Sequence, residues 1–510
     1  MSWMNIELIL LILLPTLTAV IMYFSYHFNR RARNFIAVMS GAIELYFVFS
    51  LLVFNFEAVK NLNFFLQYTI GYENTPFVIN FAMDNLSLLF SLIVSFTIFL
   101  IIVFSTQYIK DREHNYFALF FLVLASIQGA ILTADLFTLY LFIEAITVLT
   151  TPLISFHKTE KTTRAAMQYL FYGITGGVFF FISIILIYFN LGTLSMAAVA
   201  ESFAVISFPM QLTIIIFFLL ALIIKLGIFP IHFWLPRAHS ACPASISALL
   251  SGVLLKVYLY IFMRIFWTMI SFSFLAEMHL STFVLDLALV SSLLGHIFAL
   301  QADNFKKMLA YSSVGHIGMI LAVLLLNTEA AFYGGILHII AHMMMKSGLF
   351  LSSGYLLRNT ISHHIDDLRG IGHKNKLIFI AFIIIALGTI GMPPLIGFVS
   401  KWFVLLAFLE LKHFFGAFVV AAGSLIALVY YLRYISQAYE TIKDKSSFVE
   451  EIPSLKNFFS PANIMKNVIY IFTLVIVIFG LGFKIFEVPV NTAIYELMNP
   501  QKYIELVLGG

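Results

Sequence analysis

Leu212-Thr-Ile-Ile-Ile-Phe-Phe-Leu-Leu-Ala-Leu-Ile-Ile-Lys225-Leu-Gly-Ile-Phe-Pro230-Ile-His-Phe-Trp234 is the stretch whose reading decides the fold. Its first part is apolar on every side of a helix, so it needs lipid or a large interior around it. A lysine then follows too deep in the run for its head group to reach water along a lipid face. The run ends on Gly-x-x-Pro, which interrupts a helix. The rest of the chain has the same solvent preference. Of its 510 residues 61% are hydrophobic and 11% charged, against about 25% charged in a soluble domain. Apolar runs of about 20 residues, the length that crosses a bilayer, follow one another with little between them. The fold class is therefore all-α integral membrane.

Fourteen spans are expected, centred near Leu14, Leu45, Ser95, Leu124, Phe142, Phe179, Phe218, Leu254, Val290, Met319, Ile340, Ile396, Ser424 and Val475. The first lacks the basic start and cleavage pattern of a signal peptide and is expected to stay in the mature chain. The polar stretches Phe56 to Asp84 and Glu440 to Lys466 read as loops with a little local structure. Of the 29 Lys and Arg, twenty fall in odd-numbered loops, from Arg30, Arg31 and Arg33 to Lys443, Lys445 and Lys456; five fall in even loops and the tail, among them Lys60 and Arg264. By the positive-inside rule the odd loops are cytoplasmic. The expectation is a multi-pass protein of the cell membrane with both termini non-cytoplasmic. This bias also accounts for the net charge of +4 without a nucleic-acid partner.

The four remaining basic residues lie inside spans: Lys225, Lys256, Lys346 and Lys401, joined by Glu144 in the fifth span. Each costs about 2.5–3.5 kcal/mol at a helix centre, about 15 kcal/mol for the five before any pairing. One Glu–Lys pair could serve packing alone. A pair with three more lysines and several histidines reads better as a path of titratable groups.

The eleventh span carries His338, His342 and Lys346 at i, i+4, i+8, which is one stripe of a helix. Imidazole passes a proton by accepting on one nitrogen and donating from the other. Two histidines at i, i+4 also suit zinc, but no further ligand is evident and Lys346 opposes a cation, so no metal site is assigned. His316, His296 and His232 are candidates to extend the path, while Glu44 and Asp286, also intramembrane acids, stay open between partner contacts and function. Cys242 is the single cysteine. No CxxC, CxxCH, P-loop or Rossmann pattern is present, so no cofactor is assigned, and redox or ATP chemistry, if the protein serves any, belongs to other subunits. Whether the whole assembly is an enzyme stays open.

Two breaks share the pattern Gly-x-x-Pro-x-x-x-aromatic: Gly227 to Pro230 and Trp234, and Gly391 through Pro393 and Pro394 to Phe398. A proline frees the carbonyl four residues earlier, leaving acceptors at membrane depth beside Lys225 and Lys401. The copies lie 164 residues and five spans apart. An odd number of spans reverses orientation, so the reading is two inverted five-helix repeats, spans 4–8 and 9–13, with broken helices 7 and 12. The corresponding segments are 1–114 for spans 1–3, 115–280 and 281–440 for the repeats, and 441–510 for a loop and span 14.

These residues resemble the antiporter-like membrane subunits shared by Mrp-type cation/proton antiporters, respiratory complex I and membrane-bound hydrogenases. The most specific match is Lys225-Leu-Gly-Ile-Phe-Pro-Ile-His-Phe-Trp-Leu-Pro-Arg-Ala-His239, continued through Pro243-Ala-Ser-Ile-Ser-Ala-Leu-Leu to Lys256. Asp84-Asn-Leu-Ser87, Leu141-Phe-Ile-Glu144, Ala310-Tyr-Ser-Ser-Val-Gly-His316, the His338 stripe and Gly391 to Trp402 support it. Ile143 and Val257 depart from the aromatic and the glycine usual beside the glutamate and the second lysine. The resemblance implies fourteen spans with inverted repeats, central roles for Glu144, Lys225, Lys256 and Lys401, and work inside a multi-subunit assembly with other membrane subunits. The length is similar to that of a D-type Mrp subunit or its hydrogenase counterpart.

The function expected is movement of protons, with exchange for sodium left open, along Glu144, Lys225, Lys256, His338, His342, Lys346 and Lys401. Two alternatives stand beside it: a secondary transporter for an organic solute, and a non-conducting structural arm.

Overall fold

The computed structural model describes residues 3–71, 79–358, 364–440 and 463–509. Among these, thirteen helices are long and apolar enough to cross a membrane. In order they are Trp3–Phe24, Arg30–Phe54, Asn85–Tyr108, Glu113–Leu132, Leu136–Ile154, Glu160–Leu191, Phe208–Leu226, Ala244–Met269, Leu280–Gln301, Phe305–Leu324, Glu329–Leu357, Phe414–Ala438 and Ile464–Leu481. Each coincides with an expected span, and the one missing from the series is the twelfth. It is present as two halves, Lys376–Ile390 and Ile396–Glu410, each too short to cross alone.

Span starts follow from local chemistry. Asp84, Asp135, Thr159, Asn304 and Thr328 each accept a hydrogen bond from a backbone N–H of the first turn of the third, fifth, sixth, tenth and eleventh spans, satisfying donors that lipid could not. The two breaks follow the sequence as expected. Gly227 (φ +65°) ends the first half of the seventh span and Gly391 (φ +97°) the first half of the twelfth, a left-handed conformation that favours glycine. After its break the seventh span resumes as Trp234–Ala241.

The apolar stretches of the eighth and eleventh spans are wholly buried, those of the fourth and tenth nearly so, while the first, second and sixth show most of their surface outward. The elements bearing Lys256, His338, His342 and Lys346 therefore form the centre. Close approach between the ninth and tenth spans depends on glycine, since a Cβ at Gly295 would overlap the backbone of Gly315, the small-residue packing typical of membrane helices.

Three features depart from the sequence reading. The Phe56–Asp84 segment holds a short helix, Phe56–Lys60, and an antiparallel pair, Leu66–Ile70 with Ile79–Met83, in the register Leu66 to Met83 and Ile70 to Ile79. The fold is thus helical with one small hairpin, whose residues are β-branched or aromatic at several positions. Two more helices follow the last span: Glu487–Met498 packs on the third span, and Pro500–Leu508 on the hairpin, where Gln67 Nε2 donates to Val507 O at 3.1 Å. Arg264, read as a loop residue, is buried in the eighth span and ion-paired with Asp84. Moving it leaves four basic residues on the even side and sharpens the bias. Lys443, Lys445, Lys456 and most of the Glu440–Lys466 stretch lie outside the described residues.

Candidate functional site

The first cluster forms where the fifth, sixth and seventh spans meet. Lys225 Nζ lies 2.9 Å from Glu144 Oε1 and donates to Thr147 Oγ1 at 3.0 Å. The lysine side chain is 2% exposed and the glutamate 19%, so the carboxylate is the member of the pair nearer the surface of the chain. Room for them comes from the sixth span: a Cβ at Gly177 would overlap Glu144 Oε1, one at Gly173 would overlap Thr147, and one at Gly176 would press on Lys225 Cγ. Thr147, Tyr169, Lys225, Trp234 and Tyr258 line a cavity of about 10 Å³, room for a single water.

The seventh-span break supplies acceptors as expected, but its lysine does not take them. Trp234 Nε1 donates to Ile224 O at 3.1 Å, and Gly227 N donates to the same carbonyl, which frees Lys225 for Glu144. At the twelfth-span break the reverse holds. Lys401 Nζ donates to Thr389 O at 2.9 Å, Ile390 O at 3.1 Å and Ser424 Oγ at 2.9 Å. One break has its lysine on a carboxylate, the other on backbone.

Between the breaks, the eighth span widens into a π-helical turn over Leu249–Leu254, a feature that frees backbone groups inside a helix. Lys256 donates to Ser251 O in that turn. Ser251 and Ser313 share a hydrogen bond at 2.6 Å, and Ser313 Oγ donates to Leu309 O at 3.0 Å. Lys346 donates to the same Leu309 O at 3.0 Å and to Ser312. Two lysines from different spans thus approach one polar seam of the tenth span. On the same span, Tyr258 faces the first cluster, its ring centre 5.9 Å from Lys225 Nζ.

The histidines form the next step. His316 Nδ1 and His338 Nε2 are 3.1 Å apart, and His338 Nδ1 is 2.9 Å from Ser400 Oγ, the neighbour of Lys401. The His342 ring centre is 4.8 Å from that of His316, and both nitrogens of His342 are buried without a hydrogen-bond partner. His296 stands at the edge, its ring centre 5.2 Å from His316 and its Nδ1 3.4 Å from Tyr430 OH. His232 is not gathered in; it is stacked on Phe298 beside Phe229 and Tyr311.

Of the expected residues, the structure brings Glu144 to Lys225, Lys256 and Lys346 to one seam, and His316 to His338, which reaches Ser400, the residue before Lys401 in the chain. Of the ion pairs among the described residues, one holds an in-span lysine, Glu144–Lys225. Thr147, Gly173, Gly177, Ser313, Ser400, Ser424 and Tyr430 join the site without having stood out in the sequence. Gly173, Gly176 and Gly177 on one face of an apolar span carry a usable signal; single serines do not.

A further ionic group joins the start of the third span to the end of the eighth. Arg264 pairs with Asp84 and donates Nε to Tyr260 OH at 2.9 Å, while Glu496 of the penultimate helix accepts from Asn85 Nδ2 at 2.6 Å and Leu86 N at 3.2 Å. Burial and then the Asp84 charge push the Glu496 carboxyl well above the ordinary range; burial also works against the Asp84 charge, but Arg264 overrides it and holds that carboxyl low. Asp286 faces outward.

Set beside known proteins, residues 133–427 match the family described as NADH:quinone oxidoreductase/Mrp antiporter, TM, and residues 70–121 match NADH-Ubiquinone oxidoreductase (complex I), chain 5 N-terminus. The D-type member of a Na(+)/H(+) antiporter of Bacillus subtilis (strain 168) is 30% identical over 509 residues, covering 99% of this chain and 100% of that one. The N-type member of the NADH-quinone oxidoreductase of Desulforudis audaxviator (strain MP104C) is 32% identical over 379 residues, 73% of this chain and 75% of the relative. Among solved structures, a chain of the membrane-bound sulfane sulfur reductase, an archaeal respiratory membrane complex, superposes with a TM-score of 0.88 at 25% identity over 99% of this chain and 100% of that one.

Proposed function

The chain belongs to the family of membrane subunits shared by NADH:quinone oxidoreductase and the Mrp antiporters, and from that premise we propose that it carries protons along the buried line from Glu144 through Lys225, Lys256, Lys346 and the histidines to Lys401. It is an ion-translocating membrane subunit that works with other membrane subunits in a larger complex. The observation that carries the residue assignment is the pairing pattern. Lys225 has a carboxylate partner, while Lys256, Lys346 and Lys401 are held by serines and carbonyls. A network built only to fix packing would neutralise each charge, because a buried unpaired ion is costly. Groups that must give up and regain a proton are better left with neutral partners.

Removing a lysine from water weakens its hold on the proton, and a nearby carboxylate strengthens it. Glu144 therefore sets the proton affinity of Lys225. When the carboxylate is neutralised or moves away, the proton leaves Lys225 for the water cavity and the Tyr258 side, reaches Lys256, crosses the Ser251–Ser313 seam to Lys346, and passes the His316–His338 contact toward Ser400 and Lys401. Lys401, on carbonyls of the second break, exchanges with the opposite half-channel. The two breaks belong to two inverted five-helix units, spans 4–8 and 9–13, a reading supported by the matching left-handed glycines beside each lysine. The odd loops face the cytoplasm and both termini face away from it. A cavity the size of one water beside Lys225 favours a proton over an organic solute.

The test is transport by the purified complex reconstituted in vesicles, comparing wild type with Glu144→Gln at equal assembly. Loss of proton movement supports the assignment; wild-type rates with Glu144→Gln would return the pair to a packing role.

A further inference from the structure

Glu44 has no part in the line of lysines. It sits in the middle of the second span, 1% exposed. Gln128 of the fourth span donates Nε2 to Glu44 Oε1 at 3.0 Å and to Ser95 Oγ of the third span at 2.8 Å, while Ser91 Oγ donates to Gln128 Oε1 at 2.8 Å. All three partners are buried. Glu44 Oε2 is buried and has no hydrogen-bond partner, and no ion pair among the described residues includes Glu44.

A bare carboxylate at this depth costs several kcal/mol, and neutral donors on one of its two oxygens do not offset that. Either a bound proton or another small cation has to neutralise it. What the three spans present is a carboxylate, two hydroxyls and a carboxamide carbonyl, a set of hard oxygens of the kind that ligates small hard cations. The carboxamide can also reverse: turning Gln128 by half a rotation points its carbonyl at Glu44 and Ser95 and its N–H at Ser91, with no movement of the backbone. One rotamer suits a carboxylic acid, whose own proton neutralises it. The other adds a third kind of oxygen for a metal cation.

We propose that Glu44, Ser91, Ser95 and Gln128 form a second monovalent-cation site, separate from the lysine line, at which a proton and a sodium ion compete. The proposal does not require the lysine line to conduct, and its test involves no transport.

Dicyclohexylcarbodiimide attacks protonated carboxyl groups in apolar surroundings, so it reports whether Glu44 holds a proton. The intact complex in membranes is treated with it in sodium chloride or in choline chloride of equal concentration, and the labelled residue is located by mass spectrometry of its peptides. Glu44 is expected to be labelled in choline, and sodium is expected to slow that labelling about tenfold once it reaches about ten times its dissociation constant, as competition at one site requires. Ser91→Ala with Ser95→Ala should keep the label and lose most of the protection. Absence of labelling in choline, labelling equally fast in both salts, or protection unchanged in the double variant would each overturn the site.

Discussion

Lys225 is held by two groups of different kinds, the Glu144 carboxylate at 2.9 Å and the Thr147 hydroxyl at 3.0 Å, and substitutions separate charge from proton release. Arginine keeps the ion pair but does not release its proton in the working range. Lys225→Arg should therefore assemble at wild-type levels and transport no better than Lys225→Ala, measured as proton uptake by vesicles of matched protein content. A normal rate with Lys225→Arg would end the relay reading. Gly177 tests the same pair from the other side. Its absent side chain is the space Glu144 occupies, so Gly177→Ala forces the carboxylate aside at an overpacking cost of about 1–3 kcal/mol. Transport should fall to the level of Glu144→Gln while Lys225 stays intact. At this scale the charged residues were legible in the sequence because each is expensive in an apolar span, and expense demands a reason. Gly177, Ser313 and Ser400 were not, because small and hydroxylated residues cost little in a membrane helix and are common there.

Each broken helix combines a readable signal with an unreadable assignment. Glycine, proline and a neighbouring lysine located both breaks, but nothing in the motif tells which donor takes the freed carbonyls. In the seventh span it is the Trp234 indole, which bonds Ile224 O; in the twelfth it is the lysine itself. This gives Trp234 a structural task that phenylalanine cannot do. Trp234→Phe keeps an aromatic ring against Tyr169, now 5.5 Å from the indole, and removes the donor, leaving a carbonyl partly satisfied at a cost of about 1–3 kcal/mol. The expected outcome is a lower melting temperature of the assembled complex, with Lys225 drawn toward the vacated acceptor and its coupling to Glu144 weakened. Unchanged stability and rate would mean that the Gly227 N–H suffices for that carbonyl. The hairpin was missed for a different reason. Leu66–Ile70 and Ile79–Met83 are short, flanked by polar residues, and pair with each other across 72–78, so their partner is not visible from either strand alone. The helices after the last span escaped because Glu487–Met498 is too short and mixed to compete with true spans for notice, and its role depends on Asn85 and Leu86, some four hundred positions earlier.

At the scale of the whole chain, hydropathy and charge placement carried the span count, and the structure supports thirteen helices outright with the twelfth span divided. What they could not carry was the order in space. The eighth and eleventh spans are distant in sequence yet form the buried centre together, and hydrogen bonds of the Ser251–Ser313 seam and Leu309 run between Lys256 and Lys346. As proposed, the line is serial: a proton leaving Lys225 reaches Lys401 through residues of the eighth, tenth and eleventh spans. A serial path has a distinct mutational signature. Blocking it once removes all throughput, so a second block has nothing left to remove, whereas two parallel paths each lose their own share and the losses combine. Lys225→Ala, Lys401→Ala and the double variant should therefore show the same residual proton flux, equal to that of vesicles bearing complex with Glu144→Gln. The measurement is initial flux under an imposed gradient, normalised to assembled complex. If each single variant retains about half the flux and only the double variant reaches background, the two halves of the molecule conduct independently, and the line drawn between Glu144 and Lys401 is two channels.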